Sequence, residues 1–532
     1  MKRIYLYFIF CAMAVAGLCT SCDAQLGQTN PNKATEDTFW KNEADFELAL
    51  TSCYTPLKNA LNGGYYGTRG VMMRIARADE VEFRNDISDV FQACYFTNNM
   101  GIGGAVQSGY RYARENDYEY AVQIDGDGQH DVAYLAGMLQ KLEEKKGDLS
   151  EEFINKVKGE CLFIRGFYLF QLGKEFKDAP LRLTASQSPS TFPLAKSSQA
   201  EIWAQAEQDL ITAASLLPVA NEVIGKPTKG AAYAVLGKIY VYEENFDKAI
   251  EVLEPLTKSP YAYRLVEDFS WNFDDVHENN AESIFELLME PVGGTDIWGD
   301  GENINSTQTN TRPKEYAAPE ASGWYEANPT QQMMNIFLKE KDKDGNFDYR
   351  ARSSVAWDYE GCMYYLSPFR EKFKEEKWDT YWILKYQNWN TAESEADPPM
   401  SVINERAIRY ADVLLLLSES YLRGRQDLPT AISYLNQIRE RANLNPYSGA
   451  QTYEAVFDDL EHQRAIEFFV EGERFYDLRR WGLLEDRMKT CNEARYTQLK
   501  TGKVGDTNRY YYYPIPAKEI SANPLCTPNE GW

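Results

Sequence analysis

Histidine is nearly missing: a chain of 532 residues contains three, His130, His277 and His462. They form no HExxH pair, and there is neither a GxSxG turn nor a GxxxxGK[ST] phosphate loop, which removes zinc peptidase, serine hydrolase and P-loop chemistry at the level of motif. Cysteine is sparse too. Cys11, Cys19 and Cys22 lie near the N-terminus, and Cys53, Cys94, Cys161, Cys362, Cys491 and Cys526 show no CxxC spacing, so neither a zinc site nor a disulfide framework is signalled. Basic charge is in deficit, with 56 Lys and Arg against 80 Asp and Glu and a formal net charge of -24. Such a chain lacks the cationic footprint that a nucleic-acid backbone requires. Beyond the first twenty residues no run of 18 apolar residues exists, so no later segment is expected to span a membrane.

What is present points to export and to a large helical body. Lys2-Arg3 begin a charged region and Ile4 to Leu18 an apolar one too short for a comfortable span, the pattern of a secretory signal. The stretch Leu18-Cys19-Thr20-Ser21-Cys22 looks like a bacterial lipobox, in which Cys22 becomes the lipid-bearing first residue of the mature chain. Cleavage after Ala14-Val15-Ala16 would instead leave a soluble secreted protein.

Ala231 to Leu256 carries Leu236, Gly237, Tyr240, Phe246 and Ala249 at the spacing of a tetratricopeptide unit, in which small residues let two helices approach. Val413 to Ile438 repeats the pattern more loosely, by about one residue, with Leu417, Tyr421, Ala431 and Leu435 in the same places. Lys158 to Phe176 is apolar on nearly all sides and is expected to be a central helix, and Gln199 to Leu217 an amphipathic one stopped by Pro218. Cys161 is then a small buried hydrophobe, and Arg165 is expected to pair with a buried carboxylate or carbonyls. Glu467, Glu471 and Arg474, at i, i+4 and i+7, read as ion pairs along one helix face. Glu290 to Pro399, by contrast, is broken by glycine and proline and holds Trp298, Trp324, Trp357, Trp378, Trp382 and Trp389 without a sustained period. Loops and short strands are expected there. Asp342 to Asp348 resembles a calcium loop, but its glycine falls one place early, so a solvated turn is expected.

Several longer stretches together resemble the SusD/RagB-like outer-membrane nutrient-binding lipoproteins. They are Gly159 to Leu181, Glu201 to Pro218, Ala231 to Leu256, Ser433 to Leu444, Gln463 to Gly482 and the ending from Tyr513, with Thr38-Phe39-Trp40 and Ala78-Asp79-Glu80 fitting the family's N-terminal part. The resemblance implies a mainly α fold of tetratricopeptide-like helical hairpins with a loop-rich insertion containing short strands. It further implies a lipid-anchored protein at the outer-membrane surface that binds oligosaccharide, has no cofactor and no catalytic role, and delivers its ligand to a SusC-like TonB-dependent transporter. Binding of peptide is the alternative within this fold. Because sugar rings stack their C–H faces on aromatic rings, Trp271, Trp298, Trp324, Tyr325, Trp357, Trp378 and Trp382 are the ligand-binding candidates. Trp40, Trp203 and Trp481 are assigned to the scaffold.

One stretch does not fit. Met100 to Leu142, with QIDGDGQHD at Gln123 to Asp131, resembles the inverting family 2 glycosyltransferases, in which Asp125 and Asp127 would hold a divalent cation against a nucleotide-sugar diphosphate. The cradle that should precede it and the acceptor half that should follow are both missing, so a chimeric fragment is expected, not a transferase. Within it Ala105 to Asn116 and Ala133 to Leu142 are expected to be helical. The sequence thus divides into an export signal (1–21), an N-terminal region (22–98), the odd segment (99–142), a first helical region (143–260), the tryptophan-rich loops (261–400) and a second helical region (401–532).

Overall fold

The structure is a computed structural model that describes residues 40–54, 57, 65–84, 93–96, 129–184, 193–290 and 309–532. Cys22, the helix expected at 105–116, Asp125, Asp127 and Trp298 lie outside the described residues. Residues Met1–Ala49 and Leu50–Trp532 form two compact units. In the first, the Trp40 ring lies 4.8 Å from that of Phe46.

The second unit is built from helix pairs. The long helix Glu151–Phe176 starts on Ser150, whose hydroxyl accepts from the Phe153 amide, and from Gly159 onward every residue is buried. A stretch apolar on all sides can do nothing else. It packs against Gln199–Leu216, which opens with a Ser198/Glu201 capping box. Contact is close because Gly166 and Gly173 face Leu210 and Trp203, where an added Cβ would come within 2.7 and 2.5 Å. Arg165 crosses this seam to the Asp209 carboxylate at 2.6 and 2.7 Å, the buried partner its apolar helix demands. Gln129–Glu144 covers the other side of the long helix, burying Leu135, Met138 and Leu142. Cys161 is fully buried.

Both repeat hairpins are present. Lys229–Tyr242 pairs with Phe246–Leu253, and a Cβ on Gly237 would meet Leu253 at 2.3 Å, as the small residue of the repeat requires. Tyr410–Ser420 pairs with Leu428–Arg441, and the looseness seen in the sequence is taken up by one π-helical turn, Tyr421–Arg425. The two hairpins stack on each other although more than 150 residues separate them, with Phe246 against Gly424. Tyr453–Glu467 continues the stack.

Between the hairpins the chain forms an antiparallel ladder, Ser283–Leu287 with Glu405–Arg409, in which Glu405 pairs with Leu287. A second ladder, Val81–Phe83 with Ala327–Pro329, ties the N-terminal part to the insertion. As expected, loops and strands of two or three residues make up much of the described part of the insertion, joined by short helices.

Under the ladder lies a buried ionic hub. Arg409 reaches Glu282 (2.6 Å), Glu467 (2.8 Å) and Glu471 (2.7 and 2.8 Å); Arg350 reaches Asp348 and Glu467; Arg441 reaches Glu282 and Glu467; and Lys385 reaches Glu471 at 2.7 Å. Four cations meet four carboxylates, so the hub is neutral. This corrects the expectation of a helix-face row. The helix ends at Glu467, Val470 and Gly472 take left-handed φ of 54° and 84°, and Arg474 starts a new helix and pairs with Asp79 and Glu461. The three residues remain scaffold, but each binds across the molecule. Among the described residues no helix is long and apolar enough to cross a membrane.

Candidate functional site

Aromatic side chains give the insertion its own core. Tyr364, Tyr365, Phe369, Phe373 and Trp382 are buried together, with Phe373 and Trp382 stacked at 4.8 Å. Tyr325, Tyr359, Trp378 and Trp389 pack around this cluster half-buried. A ring backed by such a core keeps one face or edge available without losing its position, which is what stacking recognition needs.

The sequence candidates separate accordingly. Trp382 is 1% exposed and Trp357 6% exposed, the latter enclosed by Phe347 and Tyr359. These two are corrected to core residues, since neighbours fill the space a sugar ring would take. Tyr325 is half-buried and leans on Trp382 at 4.5 Å, while the preceding residue, Trp324, takes an Arg84 hydrogen bond on its carbonyl. Trp378 donates its indole N–H to the Phe373 carbonyl (3.1 Å) and lies 4.7 Å from the Arg370 guanidinium, itself paired with Asp358. Trp271, half-buried, is stacked on His277 at 4.5 Å.

Trp389, another of the insertion's tryptophans, also packs half-buried on this cluster. It borders a small recess together with Ser270, Phe273, Asp274, Ser353, Leu384, Lys385, Gln387 and Asn390. Its signal in the sequence is the run Asn388-Trp389-Asn390, a large ring flanked by turn-forming amides. The loop is built with care. The Glu395 carboxylate accepts from the Asn388 backbone N–H (2.9 Å), from its side-chain amide (2.8 Å) and from the Tyr365 hydroxyl, which also lies 2.9 Å from Gln387 Oε1. The Leu366 N–H donates to the Trp389 carbonyl at 3.1 Å.

That last contact comes from a strained turn. Tyr365 and Leu366 link Met363–Tyr364 to Ser367–Pro368 as a two-residue hairpin with φ of 47° and 58°. Asn-Gly is the usual choice there, because an L side chain in this region costs about 1–2 kcal/mol. Tyr365 offsets its cost by burial and by its hydroxyl contacts, whereas Leu366 is 48% exposed. Leu366→Gly is therefore expected to raise unfolding stability by about 1 kcal/mol in a denaturant titration.

The calcium-like loop proves to be a self-bonded turn: Asp342 accepts from the Asp344 and Asn346 amides, and Asp348 from the Arg350 side chain. Among the described residues no His, Cys, Asp and Glu group could hold a metal ion.

Comparison with known proteins bears on what such a site serves. The SusD family profile matches residues 281–532, and a profile described as starch-binding, associating with the outer membrane, matches residues 127–241. The second match begins inside the odd stretch at 99–142. A SusD superfamily protein of Bacteroides vulgatus, solved by crystallography, is 66% identical, with a TM-score of 0.83, over 93% of this chain and 100% of its own. SusD-like protein P2 of Formosa agariphila is 24% identical over 99% of both chains. A laminarin-binding SusD-like protein shares the fold at 21% identity, with a TM-score of 0.70 over 92% of this chain and 100% of its own.

Proposed function

Since the chain belongs to the SusD family, we propose that it is a surface glycan-binding protein of the outer membrane that captures oligosaccharide on the aromatic rim of its insertion. It binds and does not catalyse. The observation that carries the reading is Trp389, half-buried on a rigid aromatic cluster and beside a recess lined with hydroxyl, carboxylate and amide groups. Tyr325 and Trp378 supply further ring surface on the same cluster. The relatives' names, which cite starch and laminarin, support glycan over peptide as the ligand class. Lipid on Cys22 anchors the mature chain, and a SusC-like TonB-dependent transporter receives the ligand.

Titration calorimetry with malto-, laminari-, cello- and xylo-oligosaccharides tests this. Trp389→Ala is expected to lower affinity for whichever oligosaccharide binds by about tenfold, close to 1.4 kcal/mol, with unchanged thermal unfolding. Full affinity in that variant would move the site away from Trp389, and wild-type protein that binds no oligosaccharide would sink the reading. Copurification with a barrel partner, and release of Cys22→Ala protein from membranes, check the partner and the anchor.

A further inference from the structure

The recess beside Trp389 is a small pit with room for about one water-sized group. A pyranose ring cannot enter. It would remain at the surface, with only a substituent reaching inward. The walls of the pit are of three kinds: Phe273 and Leu384 are apolar and buried, Ser270, Asp274, Ser353 and Gln387 bring oxygen atoms, and Lys385 and Asn390 bring N–H donors.

Those oxygens are already oriented. Ser270 donates to Asp268 (2.7 Å); Asp274 accepts from the Val276 and His277 amides and lies 2.8 Å from the His277 ring; Gln387 spends its side-chain N–H on the Ile383 carbonyl (2.6 Å). Gln387 Oε1 meets the Tyr365 hydroxyl at 2.9 Å, and Lys385 is tied to the Glu467 carbonyl (3.0 Å) and the Glu471 carboxylate (2.7 Å), so the lining holds both oxygen and N–H groups in fixed positions. The pit therefore favours a hydroxyl, which both donates and accepts, on a short apolar stem. A hydroxyl set directly on a ring carbon lies in the rim of the stacked ring. A hydroxymethyl group reaches one bond further, turns about its own axis, and places CH₂ against Phe273 and Leu384 with O–H toward the oxygens.

Resting on the glycan-binding reading, we propose that this pit recognises the exocyclic hydroxymethyl group of a hexopyranose stacked on Trp389, so that the protein selects hexose-based over pentose-based oligosaccharides. The hydroxymethyl oxygen replaces one water and reproduces its hydrogen bonds while the fixed walls lose little entropy.

The test compares the full chain and two pit variants, Ser353→Val and Ser270→Val, by calorimetry against the tightest-binding hexose oligosaccharide and against xylo-oligosaccharide, whose rings lack the group. Wild-type protein is expected to prefer the hexose ligand by about tenfold or more, as sites built to bond a hydroxyl do. Filling the pit in either variant is expected to lower hexose affinity about tenfold and so remove the preference over the xylose ligand; using two positions guards against one variant failing to fold. Equal or tighter binding of xylo-oligosaccharide by wild-type protein overturns the proposal, as does an undiminished preference in a folded variant. In both cases glycan binding itself survives. Loss of both ligands together in Trp389→Ala reports on the ring platform instead, and absence of all glycan binding in wild-type protein removes the underlying reading and this proposal with it.

Discussion

Glu467→Ala is expected to cost about 3–5 kcal/mol of unfolding stability, seen as a lower denaturant midpoint. Glu467 is fully buried and faces Arg350, Arg409 and Arg441 at once. Without it the hub holds four cations against three carboxylates, and one positive charge is left in a medium that cannot solvate it. Burial alone would push this carboxyl up; the guanidiniums of Arg441, Arg409 and Arg350 outweigh burial and hold it well below the usual carboxylate range. A depressed carboxyl stabilises the fold above its unfolded value, near 4.5, and that contribution fades as pH falls through the acid range. The gap between wild type and variant should therefore be widest at neutral pH and shrink on acidification. Glu467→Gln, which keeps hydrogen bonds but not charge, should fall between the two. A variant as stable as wild type at pH 7 would mean that Glu282, Asp348 and Glu471 suffice.

Glu80→Gln is expected to act in the opposite direction. Glu80 sits in the Ala78-Asp79-Glu80 run, wedged between the insertion, where Thr330 donates to its backbone carbonyl, and the C-terminal region, where the Val470 N–H donates to its carboxyl at 3.1 Å. Its other oxygen has no protein partner. Burial, with the neighbouring Asp79 charge adding to it, pushes its pKa up to about 8 against the partial offset of the Val470 bond. Between about 4.5 and 8 the folded state keeps a proton that the unfolded chain releases, so stability is lost as pH rises through that window, by at most about 1.4 kcal/mol per pH unit. Glutamine mimics the protonated acid at every pH. The variant should match wild type near pH 5 and exceed it by a few kcal/mol at pH 8–9. Parallel pH profiles for the two proteins would rule out Glu80 as the titrating group.

The helices could be read in advance wherever burial follows a period. Leu236, Gly237 and Phe246 announced one hairpin, and Arg165 in an apolar helix announced a buried carboxylate or carbonyls as its partner, which is the Asp209 carboxylate. The hub left no such trace, because Arg350 and Glu467 stand 117 residues apart and no local spacing joins them. The helix-face reading of Glu467, Glu471 and Arg474 failed because the helix ends at Glu467 and the chain turns at Val470 and Gly472. For the proposed site, residue type marked a stretch rich in rings but not which of them are buried. Trp382 and Trp389 are seven positions apart, yet one lies in the core and the other at the rim. Between them Tyr386, at a φ of 61°, turns the chain in a way composition does not announce.

The ladder that closes the insertion also sets the order of assembly. Lys238, in the first hairpin, finds Asp412 only 174 residues later. While the chain is being made, the helix Lys229–Tyr242 must wait with an apolar flank uncovered until the whole tryptophan-rich stretch has emerged and its ends have met. Closing so long a loop before its contacts can repay the entropy makes for slow, late-committing folding and a window for aggregation. The tryptophan-rich loops cannot, on this architecture, be trimmed away to leave a minimal helical module, because the two halves of that module join only after the loops have closed.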